Sequence, residues 1–494
     1  MMEALVKKKK RIKKSVLLII ELTLLILSVI FSILNLENQT IIFAILSSIL
    51  LIKVVKDMTG SYINIPFLFV GFHILYGLSG VISVAWGEGL SATYGIVFDI
   101  CPYMLAYSLC TIALLGGMFF YCQKNKKSNN SILLNFENNI NMENNNYKYF
   151  LFIAICGFFL VTFCEFINFL RVGGLDILLE GKAIYQAAVD KLIFTIPTQL
   201  ICQISLASLG VYVTLSHFAK NKISIRAMIT CGVISLPYFL LLLFLGRRGP
   251  ILAYLLIAIL AISQFKPIKK LSLKLIVILL ITYLSLGMLY GVRNYVNLLF
   301  TDFSQFTEKV FSKRNIMGSL NPGQNEFGCT FGNFNKLYIS DDYDFLYGKS
   351  YLQGLFNFVP SYLYPGDKPQ MITYKFRDDY FAFKAEISSI ASTAFSSILE
   401  TYWNFWYFGA IIYIIYGYGL MWLDKKIKNK NSFLLLTYLS ISPFVYSFHR
   451  SEFGHFIMEI ILLSLCIIVI YYFYKFIYKK DTKISKLFHK IAEI

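Results

Sequence analysis

Two arginines stand side by side between membrane-length apolar runs: Gly246-Arg247-Arg248-Gly249-Pro250 follows Ile234–Leu245 and precedes Ile251–Phe265. A guanidinium at the centre of a spanning helix costs roughly 2.5–3.5 kcal/mol on insertion scales, so such residues belong at an interface or in a watered cavity. Arginine offers a planar fork of donors matched to carboxylate or phosphate, where lysine is a point charge. Arg171, Arg293, Arg377 and Arg450 also fall in connections between apolar runs. Together these residues predict a site for an anionic ligand. Groups able to take a proton come later in the chain: Glu400, His449 and Glu452.

The segments that must position them have their own patterns. Ile387, Ile390, Ala391, Ala394, Phe395, Ile398 and Leu399 form one helical stripe, and Ser388, Ser389, Ser392, Thr393, Ser396 and Ser397 form the opposite one. Glu400 continues the hydroxyl stripe at helical spacing, which suits a cavity wall or small-residue helix packing. In His449-Arg450-Ser451-Glu452-Phe453-Gly454-His455, helical spacing aims Glu452, His455 and Glu459 at one place. That spacing matches no standard zinc motif, and Arg450 would repel a cation, so a hydrogen-bonding cluster is expected and no metal. Asp341-Asp342-Tyr343-Asp344 is read as a solvated turn.

Of the 494 residues 57% are hydrophobic and 17% aromatic, and continuous apolar runs recur along the chain. A run of about 20 such residues crosses a bilayer core, whereas barrel strands alternate. The chain is therefore expected to be all-α and polytopic, with about twelve spans at 15–34, 40–55, 65–84, 101–121, 149–169, 192–215, 227–245, 251–265, 273–291, 403–423, 432–448 and 456–474. Residues 1–291 hold nine of them, 292–402 form a long outer connection, and 403–494 hold the last three and a tail. Lysines 7–10, 13 and 14 precede the first run, so both termini are expected in the cytoplasm. The lysines then fall mostly inside and the arginines mostly outside, which explains the +18 charge without nucleic acid. Within the long connection, Tyr351, Leu352, Leu355, Phe356 and Val359 recur at helical spacing and predict a short amphipathic helix on the outer leaflet. The inner connections show no glycine-rich phosphate loop, which argues against an ATP-driven pump. Eight of nine cysteines lie in or beside apolar runs, so a disulfide framework is not expected.

The chain resembles the Wzy-type polymerases of bacterial O-antigen and capsule repeat units. The resemblance rests on the Gly246–Pro250 turn, the long late outer loop with Tyr347-Gly348-Lys349-Ser350-Tyr351, Pro360 and Lys368-Pro369, and Glu400-Thr401-Tyr402-Trp403-Asn404 ahead of Gly409. It implies a GT-C-like membrane glycosyltransferase fold, no cofactor, and undecaprenyl-pyrophosphate-linked oligosaccharides as substrates at the outer face of the cytoplasmic membrane. A flippase and a chain-length regulator of the same pathway are implied partners.

On that resemblance, Arg247, Arg248, Arg293 and Arg450 would stabilise the charge on a departing pyrophosphate, with Arg171 and Arg377 in second rank. Glu400 is the first choice of general base, followed by His449 and Glu452. Tyr402, Asn404 and Lys368 would position sugar or phosphate. An O-antigen ligase would share the architecture, and a flippase would also suit twelve spans. A flippase should show two similar halves, and the late loop gives the chain none.

Overall fold

The computed structural model describes residues 2–85, 96–125, 147–174, 198–219, 223–245, 247–265, 298–313, 327–340, 343–359, 366–381, 395–427 and 431–479, with isolated positions between them. Among the described residues all regular structure is helical. The long helices are α1 (Met2–Ile33), α2 (Glu37–Thr59), α3 (Ile65–Ala85), α4 (Ile100–Lys124), α5 (Tyr147–Arg171), α6 (Thr198–Phe218), α7 (Ile225–Phe244) and α8 (Arg248–Phe265). Short helices follow: α9 (Phe303–Val310), α10 (Cys329–Tyr338), α11 (Lys349–Phe356) and α12 (Ile372–Tyr380). The chain then forms α13 (Ser397–Phe405), α14 (Ile412–Trp422), α15 (Ser432–Ile441) and α16 (Phe453–Lys479).

Nine helical stretches among the described residues are long and apolar enough to cross a membrane, and the protein is a polytopic membrane protein. The expected run 40–55 lies inside α2. The run 432–448 is divided between α15 and a single turn at Phe444–Ser447. Most of 273–291 lies outside the described residues. The tenth expected run starts earlier than its hydropathy suggests, at Ser397, because the Ser396 hydroxyl accepts the Leu399 amide at 3.0 Å and caps the helix. That places Glu400, on the helical stripe expected of it, in the first turn of a membrane-length segment. The same segment passes through a 3-10 stretch at Trp406–Ile411 and ends in a π turn at Leu423–Ile427.

Local chemistry sets the other ends. Asp99 caps α4 through the Cys101 amide, and Gly60 closes α2 in the left-handed conformation. Pro250 falls in the first turn of α8, where its missing N–H costs nothing. Glycines set the closest helix contact. A Cβ at Gly117 would strike the Ile414 carbonyl, and one at Gly417 the Leu114 carbonyl, so α4 and α14 pack backbone to backbone. The membrane-facing sides of α1, α5, α7 and α16 carry exposed Ile19, Phe163, Val233 and Val469.

The long connection ahead of α13 is partly sunk into this bundle. Thr330 of α10 donates to the Tyr76 carbonyl of α3 at 2.8 Å, and Phe331 packs edge-on against Tyr103 of α4. Asn335 accepts the Asp99 amide at 2.8 Å. Further along, the Trp403 indole donates to the Asp344 carbonyl at 2.9 Å, and the Leu346 amide donates to the Trp403 carbonyl at 3.0 Å. The long segment is thus pinned to α3, α4 and α13 by side chains on both partners.

Candidate functional site

The site begins with Glu400. Its carboxylate accepts Ser350 Oγ of α11 at 2.8 Å through one oxygen and the Phe453 amide of α16 at 2.7 Å through the other. Asn404, one turn on, donates to Ser350 Oγ at 2.8 Å and accepts the Gly348 amide at 3.0 Å. Glu400 and Asn404 therefore tie α13, α11 and the start of α16 into one knot. Gly354 of α11 and Gly454 of α16 meet there: a Cβ on Gly354 would lie 2.8 Å from the Gly454 Cα.

Beside the knot lies a small cleft of about 10 Å³, room for one water, lined by Ser350 and Gln353 of α11, by Asn357 at its C-terminal end, and by Gln370, Ile372 and Glu452. Glu452 is 2% exposed. One carboxylate oxygen accepts the Thr373 amide at 2.8 Å and the Thr373 hydroxyl at 3.2 Å. The other, Oε1, is buried and has no partner among the described residues. Burial raises the Glu452 carboxyl above its ordinary value of 4.5, against the opposing effects of the Thr373 bonds, the His455 charge and the Ile372 amide. Glu400 and Glu452 lie close enough to feel each other's charge. The amides of Gln353, Asn357 and Gln370 and the Glu452 carboxylate give this cleft both hydrogen-bond donors and acceptors.

His449 lies on the bundle side. Its ring packs on Phe69 at 4.5 Å and near His73 at 5.5 Å, and Nε2 sits 3.1 Å from the Phe69 carbonyl. Burial pushes the imidazole well below 6.5, and His73 adds to that effect. A nitrogen opposite a carbonyl carries the hydrogen, so the neutral ring presents its lone pair at Nδ1.

The arginines divide. Arg450 donates to the Tyr446 hydroxyl and lies over that ring at 5.6 Å. A Cβ on Gly249 would lie 3.6 Å from the same hydroxyl, so Tyr446 brings Arg450 to the N-terminal end of α8, where Arg248 stands. That end carries unpaired amides and a positive partial charge. Arg247 faces another group: its charge and that of Glu165 both reach Tyr185. Tyr185 and Leu245 pack with Phe169 and Leu241, so Tyr185, in the connection after α5, rests on the end of α7. Arg171 is exposed in the last turn of α5.

Other expected residues have different work. Arg377 is buried, donates through Nε to Asp378 at 2.7 Å and lies over Tyr374 at 5.1 Å. Lys368 donates to the Asn357 and Val359 carbonyls at 2.8 and 2.9 Å, fixing the end of α11 rather than facing the cleft through a free head. Tyr402 turns away to Tyr343, with hydroxyls 3.1 Å apart, and packs on Phe334. His455 pairs with Glu459 at 3.3 Å while Glu452 turns to Thr373. Arg293, Asp341, Asp342 and most of the serine stripe lie outside the described residues. Of that stripe, Ser396 caps α13 and Ser397 bonds Tyr413 at 2.6 Å.

A family model for the O-antigen polysaccharide polymerase Wzy matches residues 17–481. The chain belongs to that family. No curated protein and no solved structure matches it. The polymerase therefore joins oligosaccharide repeat units into a polysaccharide.

Sequence reasoning missed three parts of this polymerase. Ser350 stands out in the sequence only as part of the Tyr347–Tyr351 run and not as a partner of Glu400, and Thr373 carries no signal beyond being a short polar residue in a long loop. Gln353 and Asn357 follow Ser350 at helical spacing, a pattern that could have marked the polar face of α11. Glu21 lies wholly buried in the first membrane-length helix, with both carboxylate oxygens unpartnered among the described residues. A lone carboxylate inside an apolar run was the available signal.

Proposed function

We propose that the polymerase draws its substrates from undecaprenyl pyrophosphate at the outer face of the cytoplasmic membrane and joins them without a metal, with the Glu452 cleft as acceptor site. The observation that carries this reading is Glu452, which lines a cleft with the amides of Gln353, Asn357 and Gln370 and whose buried Oε1 has no hydrogen-bond partner among the described residues. A sugar hydroxyl in the cleft would donate to that oxygen. As its oxygen bonds the anomeric carbon of the growing chain, its proton passes to Glu452. The anomeric carbon–oxygen bond to pyrophosphate breaks, and the electron pair leaves on the pyrophosphate oxygen. Arg450, Arg248 and the amides opening α8 are suited to meet that charge, since fixed donors in a poorly solvated site need no reorganisation. Arg247 and Arg171 belong to the wider outer rim, and Arg377 supports α12.

In this reading Glu400 and Asn404 hold the cleft together instead of moving protons. His449, neutral with Nδ1 available, is the reserve base. Both termini face the cytoplasm, which leaves a flippase and a chain-length regulator free to work beside the outer loop.

The test uses purified protein in nanodiscs with undecaprenyl-pyrophosphate-linked repeat units, EDTA and no nucleotide. A ladder of repeat multiples, lost in Glu452→Gln and in Arg450→Lys, supports the reading. A ladder that survives Glu452→Gln removes Glu452 from the chemistry, and one that needs added metal refutes metal independence.

A further inference from the structure

We propose that α11 is a partition seated in the outer leaflet of the bilayer, with lipid acyl chains on one face and the sugar cleft on the other. The proposal rests on the cleft reading above, and it adds the route by which a lipid-linked sugar enters. Ser350, Gln353, Gly354 and Asn357 recur at helical spacing and wall the cleft. Leu352, Leu355 and Phe356 recur at the same spacing on the other side and are 64%, 45% and 54% exposed. The helix cannot roll to hide them, because Ser350 is bonded to Glu400 and Gly354 lies against Gly454.

The apolar face continues into surface that belongs to the membrane. Tyr351 stacks on Phe405 at 6.1 Å, and exposed Trp406, Phe408 and Ile411 follow Phe405 within the membrane-length stretch that begins at Ser397. Trp406 and Tyr347, both exposed, are the residue types that settle at the headgroup level, and exposed Lys349 can reach the phosphates. A short helix with one apolar and one polar side lies in the plane of such an interface. The tail of a polyprenyl-linked substrate would then stay in the leaflet while its sugar turns around α11 into the cleft.

The seating is tested by placing a benzophenone amino acid at position 352, 356 or 353 of the polymerase in phospholipid nanodiscs, irradiating, and weighing the adducts. Lipid adducts at 352 and 356 with none at 353 are expected, and their absence at 352 and 356 overturns the seating. The route is tested with Leu352→Glu/Phe356→Glu and two carriers of the same sugar, one a long polyprenyl and one a short water-soluble prenyl. A loss of about tenfold or more, equivalent to 1.4 kcal/mol, is expected on the long carrier only. Equal loss on both carriers, or none on either, overturns the partition. Failure of the unaltered protein to join either carrier overturns the cleft reading instead, and the cross-linking result still judges the helix.

Discussion

Replacing Glu400 separates a structural clamp from a catalytic base. Its carboxylate holds two buried donors, Ser350 Oγ at 2.8 Å and the Phe453 amide at 2.7 Å. In Glu400→Ala both donors lose their acceptor, and each unsatisfied buried group costs about 1–3 kcal/mol, or roughly 2–6 kcal/mol together. Glu400→Gln is the sharper probe. Its amide oxygen can keep the Phe453 bond, while its NH2 must donate to Ser350 Oγ, which already accepts from Asn404 at 2.8 Å. The Ser350 hydroxyl hydrogen is then stranded, so Gln loses only one bond, about 1–3 kcal/mol. A clamp predicts an intermediate thermal midpoint for Gln, a lower one for Ala, and polymerisation that follows the folded fraction. Ser350→Ala should reproduce much of the effect, and the double variant should cost less than the sum by about 0.5–3 kcal/mol. The assays are thermal unfolding in detergent and the repeat-unit ladder at a temperature where each variant is folded. A base instead predicts a rate loss of about 10²–10⁴ in Gln with the midpoint unchanged. That outcome would refute the clamp.

Further outcomes are expected at Glu452, Glu21 and two glycines. Glu452→Gln should slow polymerisation by about 10²–10⁴. Because burial raises the Glu452 carboxyl above 4.5, the unaltered protein should lose rate as pH falls through that raised value, and a pH-rate profile whose acid limb survives in Gln counts against it. The same raised group binds its proton more firmly folded than unfolded. Its contribution to stability is therefore present at low pH and lost as pH rises through the folded value, which unfolding midpoints across that range can show. Glu21→Leu should stabilise the protein by roughly 1–3 kcal/mol by removing two buried, unpartnered oxygens, with the ladder unchanged. A lowered midpoint would mean that Glu21 has a partner. Gly354→Val should weaken polymerisation by forcing α11 off α16, whereas Gly116→Ala, where an added Cβ meets nothing within 4 Å, should leave the ladder intact and raise stability by about 0.4–1 kcal/mol.

By itself the sequence determined the class of the protein. Long apolar runs separated by charged turns leave a helical membrane protein as the workable solution, because lipid supplies no partners for open backbone. It also marked Arg248, Arg450 and Glu452 as unusual, since charges beside apolar runs are conspicuous. The apolar spacing of Leu352, Leu355 and Phe356 foretold α11. What the sequence withheld was direction. Glu400 looks like a base and Tyr402 like a sugar platform as long as their neighbours are unknown, yet Ser350, Phe453 and Tyr343, which occupy them, are about 50–60 residues away in the chain. Arg377 shows the same limit at short range, since its neighbour Asp378 engages it only in the conformation that α12 adopts. Helical spacing fixes which residues share a face. Only the packing of α11, α13 and α16 decided that Glu400 is bonded on both oxygens while one oxygen of Glu452 has no partner among the described residues, because hydrogen-bond partners are set by which backbones meet.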